Sequence, residues 1–293
     1  MPPLGGELAA LASALIWAVA AQVYRGLGRR ISPLLLNFSK GAVALGAGAL
    51  VLVIGRPPAP ETPPVPLLWL ALSGVVGIGL GDSFYLGALK QIGARRALIL
   101  ESLAPPLAAV LAWLCFGETL EIGGWAGVGL TVLGVVWVVM ERTPEAPLQS
   151  YRGLLWGTLG ALGQAAGAVM ARYAFLCADI APFWALLIRL GAGQAMIILL
   201  LSQAPPAVRS WPPFQWHWVS LLAITAFAST FLAILGQQTA LKYAPAGVAQ
   251  ALLATSPLFI LPIAAWSGEK ISLRALGGVV LALAGIALLL SYR

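Results

Sequence analysis

One set of residues occurs twice along this chain, and it restricts the fold more than any other feature. Ala88-Leu89-Lys90 returns as Ala240-Leu241-Lys242. Downstream, Pro106-Leu107 is matched by Pro257-Leu258, Gly117-Glu118 by Gly268-Glu269, Gly127 by Gly278 and Gly134 by Gly285. Upstream, Pro33 and Lys40 correspond to Pro182 and Arg189 at the same spacing. A unit of about 145 residues is therefore duplicated, as internal repeats at fixed offset indicate. The expected division is residues 1–143, a linker 144–150, and residues 151–293. Each copy predicts five apolar spans. With an odd number per copy, the second must enter the membrane in the opposite sense, a construction used by secondary transporters.

The spans follow from composition. The chain is 60% hydrophobic and 9% charged, with a mean hydropathy of +0.92. Soluble domains carry about 25% charged residues. A helix crossing the hydrocarbon needs about 20 apolar residues, and ten stretches meet this loosely. They are Leu8–Tyr24, Pro33–Ile54, Val65–Leu89, Ala97–Phe116 and Ile122–Met140, then Gly153–Ala171, Pro182–Leu201, Trp216–Leu241, Ala244–Trp266 and Ala275–Leu290. Backbone groups cannot stay unpaired in lipid, so runs this long are helices. The expected fold is an all-α polytopic membrane protein, with ten transmembrane helices in two inverted five-helix repeats. Pro-rich loops fall at equivalent places, residues 56–66 and 203–213. Trp69, Trp125, Trp137, Trp211, Trp216, Trp218 and Trp266 sit near span ends, where indoles anchor at the interface.

The net charge of +7 belongs to this membrane setting and not to nucleic-acid binding, because no basic run interleaves with aromatics. Arg25, Arg29, Arg30, Lys90, Arg95, Arg96 and Arg152, among others, fall on one side of the predicted spans. The positive-inside rule makes that side cytoplasmic and puts both termini outside. The start of the chain lacks the basic n-region of a cleavable signal. Cys115 and Cys177 are isolated and read as packing residues. His217 lies between Trp216 and Trp218, with no metal or triad motif around it.

Four ionisable residues lie inside predicted spans: Lys40, Asp82, Glu101 and Arg189. A charge at mid-span costs about 2.5–3.5 kcal/mol on insertion scales, so such residues face a partner or a cavity. Lys40 and Arg189 are repeat equivalents and read as intramembrane charge-pairing scaffold. Asp82 aligns with Ile234, and Glu101 aligns with the Leu252-Leu253 region, so neither acid repeats. That asymmetry points to a substrate or proton site. Further polar residues lie at similar depth: Asn37, Gln164 (aligned with Trp17), Gln237 (aligned with Tyr85), Gln238, Gln250, Thr255 and Ser256. They serve interhelical hydrogen bonds or a polar pocket. Pro105, Pro106, Pro257 and Pro262 break spans four and nine, which suits cavity-lining helices. Glu118 and Glu269 read as helix-end anchors.

Two copies of Ala-Leu-Lys, Pro-Leu, Gly-Glu, Gly and Gly in order, across ten spans, resemble EamA-type members of the drug/metabolite transporter superfamily. The resemblance covers about residues 8–140 and 152–291. It implies alternating access by a small solute, with helices one, three, four, six, eight and nine around the cavity. On this chain those helices carry Trp17, Asp82, Tyr85, Glu101, Gln164, Gln237 and Gln250. The resemblance also implies cytoplasmic termini, opposite to the charge count.

The expected function is secondary transport of a small polar or amphipathic, amino-acid-like metabolite, in the direction of export. A lipid scramblase, flippase or channel is the alternative. An intramembrane enzyme lacks its clustered carboxylates, its Ser/His pair or an HExxH motif. No phosphate-binding loop of the G-x-x-x-x-G-K-[ST] type occurs, so a gradient is the expected energy source. Protons entering through Asp82 or Glu101 fit the role of intramembrane carboxylates. Besides its small-molecule substrate and membrane lipid, no cofactor, metal or nucleic-acid partner is expected. The Ala, Gly and Pro bias fits a bacterial gene and the cytoplasmic membrane.

Overall fold

The computed structural model describes residues 5–116, 121–139, 150–211, 213, 215–243, 246–256, 259, 260, 263, 265 and 272–291. Every regular element among them is helical. The first half contains α1 (Gly5–Leu27), α2 (Pro33–Gly55) and α3 (Pro64–Ser73). A π-helical stretch, Gly74–Gly81, leads into α4 (Asp82–Glu101), then α5 (Ala104–Phe116) and α6 (Ile122–Val139). The second half contains α7 (Tyr151–Cys177), α8 (Pro182–Gln203), the single turn α9 (Pro206–Arg209) and α10 (Trp216–Ala226). A second π-helical stretch, Phe227–Leu232, leads into α11 (Ala233–Tyr243), followed by α12 (Ala246–Leu253) and α13 (Leu273–Ser291).

Six helical stretches among the described residues are long and apolar enough to cross a membrane: Leu8–Leu27, Pro33–Gly55, Pro64–Glu101, Tyr151–Cys177, Pro182–Gln203 and Trp216–Tyr243. Ala104–Cys115, Ile122–Gly134 and Leu276–Leu288 are apolar but shorter. Large apolar side chains such as Val53, Ile54 and Leu114 are exposed on the outside of the bundle. This suits a multi-pass protein whose outer solvent is lipid.

The longest stretch is not one straight helix. At Gly93 the backbone takes φ 79 and ψ 168, a region closed to residues with a Cβ. The chain therefore ends one apolar segment at Ile92 and starts another at Ala94. It breaks again at Ser102-Leu103. Pro105 and Pro106 lack the amide hydrogens that Glu101 and Ser102 carbonyls would need to continue the helix. The second half breaks at the equivalent place, Ala254-Thr255. Pro257 and Pro262, the other prolines expected to break spans, lie outside the described residues. So do Gly117, Glu118, Gly268, Glu269, Trp266 and the linker up to residue 149.

The repeated prolines start helices. Pro33 and Pro182 occupy the first turns of α2 and α8, where a missing amide costs nothing and φ is already set. Ser32 caps α2 by accepting from Leu35 N at 3.1 Å.

The repeated glycines meet one another. A Cβ on Gly134 of α6 would lie 2.4 Å from Ala282 N and 2.7 Å from Gly278 O of α13. A Cβ on Gly285 of α13 would lie 2.4 Å from Thr131 N and 2.7 Å from Gly127 O of α6. The last helices of the two halves thus pack backbone on backbone. Thr131 adds a hydrogen bond to Ala282 O at 3.4 Å. In lipid no hydrophobic force separates helix from solvent, so close packing of small residues supplies the association.

The π-helical stretches also occupy equivalent places in the repeat. Their wider turns leave carbonyls within reach of neighbouring helices. Asn37 Nδ2 donates to Ile78 O at 2.9 Å and Trp17 Nε1 to Ser229 O at 2.8 Å; Ser13 Oγ donates to Ala233 O, just past the second stretch, at 2.9 Å. A further pair of repeat equivalents holds the ends of these segments. Arg172 Nη1 donates to Leu241 O at 2.9 Å and Lys242 O at 2.8 Å, closing the C-terminus of α11. Arg25 stands as far before Arg172 as Trp17 does before Gln164, and its guanidinium packs 3.5 Å from the Cβ position of Gly93. Beside Arg172, Lys242 Nζ donates to Asp179 Oδ1 at 2.5 Å and Ile180 O at 3.0 Å. That hydrogen bond, then the ammonium charge, hold the Asp179 carboxyl below its ordinary pKa.

Replacing Gly134 or Gly285 by Ala will destabilise the folded protein by about 1–3 kcal/mol, the usual scale of overpacking. Gly129→Ala and Gly277→Ala, with nothing within 4 Å of the added methyl, will be neutral or slightly stabilising. Thermal unfolding of the four variants in one detergent checks the contrast.

Candidate functional site

The segments with breaks and wide turns surround one cavity. Its empty space is about 870 Å³, counting the part open to solvent. All seven residues expected on a substrate path line it: Trp17, Asp82, Tyr85, Glu101, Gln164, Gln237 and Gln250. Asp82 follows the first π-helical stretch directly, and Glu101 ends α4 just before the break. Gln164 comes from α7, Gln237 from α11 and Gln250 from α12.

Several lining residues were not singled out by the sequence. Tyr24, Ser229 and Ala21 are among them; Lys40, expected as a charge-pairing residue, also brings α2 to the wall. Tyr24 was legible in principle: Trp17, Ala20, Ala21 and Tyr24 follow i, i+3, i+4, i+7 spacing on one helical face. Ser229 had no signal beyond its place in the second half's equivalent of the glycine-rich stretch. It organises the aromatic wall. Its carbonyl accepts from Trp17, and its hydroxyl hydrogen-bonds Tyr24 Oη at 2.8 Å. Both rings therefore line the cavity with their polar tips already engaged.

The four intramembrane charges do not form a single neutral cluster. Lys40 Nζ donates to Asp82 Oδ2. Arg189 is fully buried, lies outside the cavity lining, and forms no ion pair with Asp82 or Glu101. Its Nη1 donates to Gln237 Oε1 at 3.4 Å, and its Nη2 lies 3.2 Å from the Cβ position of Gly77. The repeat explains the difference. Lys40 finds Asp82, whereas the counterpart of Asp82 is Ile234, so Arg189 reaches the residue aligned with Tyr85.

Other mid-span polar residues serve the scaffold. Asn37 joins α2 to Ile78 O and Ser83 Oγ, each at 2.9 Å. Ser256, which also lines the cavity, donates to Ala14 O at 3.1 Å. Thr255 turns back to Leu252 O at 2.7 Å.

Three buried atoms of the lining have no partner among the described residues: Glu101 Oε2, Gln237 Nε2 and Gln250 Nε2. One is an acceptor and two are donors. A buried polar group left unpaired costs about 1–3 kcal/mol, so these atoms favour a ligand or water that supplies complementary groups. The described residues contain no cluster of three or more His, Cys, Asp or Glu side chains suited to a metal.

Lys40→Met will destabilise the protein by about 3 kcal/mol, because it strands a charge in a low-dielectric wall. The double variant Lys40→Met/Asp82→Asn will recover most of that loss. Thermal unfolding of the single and double variants in detergent measures the coupling.

The fold has a relative among solved structures. A crystal structure aligns over 97% of this chain and 97% of its own, with a TM-score of 0.71 at 18% identity. No curated protein matches. The family model of the EamA-like transporters matches residues 4–140 and again 151–291. With two matches covering nearly its whole length, the chain belongs to the EamA-like transporter family of the drug/metabolite transporter superfamily.

Proposed function

We propose that this protein is a secondary active transporter that exports a small amino-acid-like metabolite across a bacterial cytoplasmic membrane by alternating access. The observation that carries the reading is the cavity wall. A carboxylate oxygen of Glu101 and the amide nitrogens of Gln237 and Gln250 have no partner among the described residues. Beside them stand the Trp17, Tyr24 and Tyr85 rings. A solute with an ammonium, an oxygen acceptor and an apolar portion satisfies all three kinds of group.

In this reading the backbone follows ten crossings in two inverted sets of five. The breaks at Gly93, Ser102-Leu103 and Ala254-Thr255, with the two π-helical stretches, are where one half tilts against the other. The tightly packed α6 and α13 stay together as the fixed edge. Asp82 is occupied by Lys40, which leaves Glu101 as the carboxylate able to trade a proton for the substrate ammonium. Inward proton movement then drives outward solute movement.

Purified protein in liposomes will release preloaded amino acid when an opposing proton gradient is applied. Glu101→Gln will lower that rate at least about tenfold, the scale expected on losing a hydrogen bond to a charged group, and will abolish its pH dependence. Unchanged transport and unchanged pH dependence in Glu101→Gln would refute the proton role. Scrambling of a fluorescent lipid without solute release would replace the transport reading itself.

A further inference from the structure

Gln237 is held in one of two possible ways, and the choice decides which chemical group it presents. A Gln amide has an acceptor end and a donor end of nearly the same shape. Arg189 is donor-only in every protonation state a protein visits. Its Nη1 approaches Gln237 Oε1 at 3.4 Å, and Gln238 Nε2 approaches the same oxygen at 3.4 Å. Reversing the amide would set its hydrogens against a guanidinium and leave the oxygen pointing elsewhere. The Arg189 contact therefore orients Oε1 toward the guanidinium and leaves Nε2 as the buried end, without a partner among the described residues. Gln237 also lines the cavity, whereas Arg189 does not touch it.

We propose that Arg189 is a positioning residue for substrate selection: by fixing the Gln237 amide, it makes the cavity present a hydrogen-bond donor and select substrates that carry a carboxylate. The proposal rests on the transport reading above and deepens it. Gln250 Nε2 is a second donor in the same lining without a partner among the described residues, and two amide donors match the two oxygens of a carboxylate. Buried behind Gln237, the guanidinium also adds its charge to that side of the wall. The repeat-equivalent Lys40 has no such role, because Asp82 takes its ammonium. The same ancestral cation thus secures helices in one half and sets substrate chemistry in the other.

The test compares each amino acid with its decarboxylated amine: phenylalanine with phenethylamine, tyrosine with tyramine, leucine with isoamylamine, lysine with cadaverine. Binding to the purified full-length protein is measured by ligand-induced thermal shift and by competition against the tightest-binding compound of the set. Wild type is expected to prefer the acid-bearing member. Arg189→Met is expected to cut that preference at least about tenfold, the scale of losing a hydrogen bond to a charged group. Arg189→Lys, still donor-only, is expected to keep it within about threefold, less than one hydrogen bond of this kind is worth. Gln237→Glu provides a variant that keeps a partner for Arg189 but offers the cavity no donor; it is expected to lose the preference while folding normally. Because the readout is a ratio within each pair, a general loss of stability does not move it. Equal weakening of acids and amines in Arg189→Met and Gln237→Glu would overturn this inference and leave the transport reading intact. Failure of wild type to bind any member of either set would overturn both.

Discussion

A helix that breaks inside a bilayer must find partners for the backbone groups it frees, and the rest of this structure is arranged around that requirement. The interior breaks lie in the segments between Pro64 and Phe116 and between Trp216 and Ser256. Side chains from α1 and α2 reach the π-helical carbonyls, Asn37 on one side and Trp17 on the other, and Ser13 reaches the first carbonyl of α11. Arg172 closes the end of α11. Once these groups are satisfied, irregular backbone becomes tolerable, and it is tolerable only where protein or a water-filled cavity covers it. The cavity sits where the irregular segments converge for that reason.

Duplication and divergence divide the work. Gly127, Gly134, Gly278 and Gly285 are kept in both halves and build one backbone contact between α6 and α13. Pro33 and Pro182 are kept and begin equivalent helices. Glu101 and Gln250 do not repeat, and they supply unpartnered polar atoms to the cavity. Lys40 and Arg189 fall between these classes. Both are cations, but Ile234 stands where Asp82 does in the first half, and Arg189 contacts Gln237.

Much of this was legible in the sequence, for identifiable reasons. Apolar runs and their spacing reveal helices in lipid because the backbone has no alternative there. Mid-span polar residues mark an interhelical contact or a cavity, because something must offset their cost, so Glu101, Gln164, Gln237 and Gln250 stood out singly before the fold brought them together. Three features were not legible. Gly93 carries a left-handed turn that ends one segment and starts the next, yet one glycine among 33 has no distinguishing mark. The π-helical stretches depend on tertiary hydrogen bonds from α1 and α2, which local sequence does not contain. The partner of Arg189 depended on whether the helix facing it offered a carboxylate or an amide, a question of geometry across the repeat.

Exposure of the cavity to both sides of the membrane in turn is the central claim, and thiol labelling measures it most directly. Cys115 and Cys177 are free and exposed; replacing both with Ser leaves a background for Ala20→Cys on the cavity wall. A membrane-impermeant maleimide is applied to right-side-out and to inverted vesicles. The account predicts that the single thiol reacts in both preparations, and that saturating substrate slows both reactions. Reaction from one side only, under every gradient tested, would contradict alternating access around this cavity.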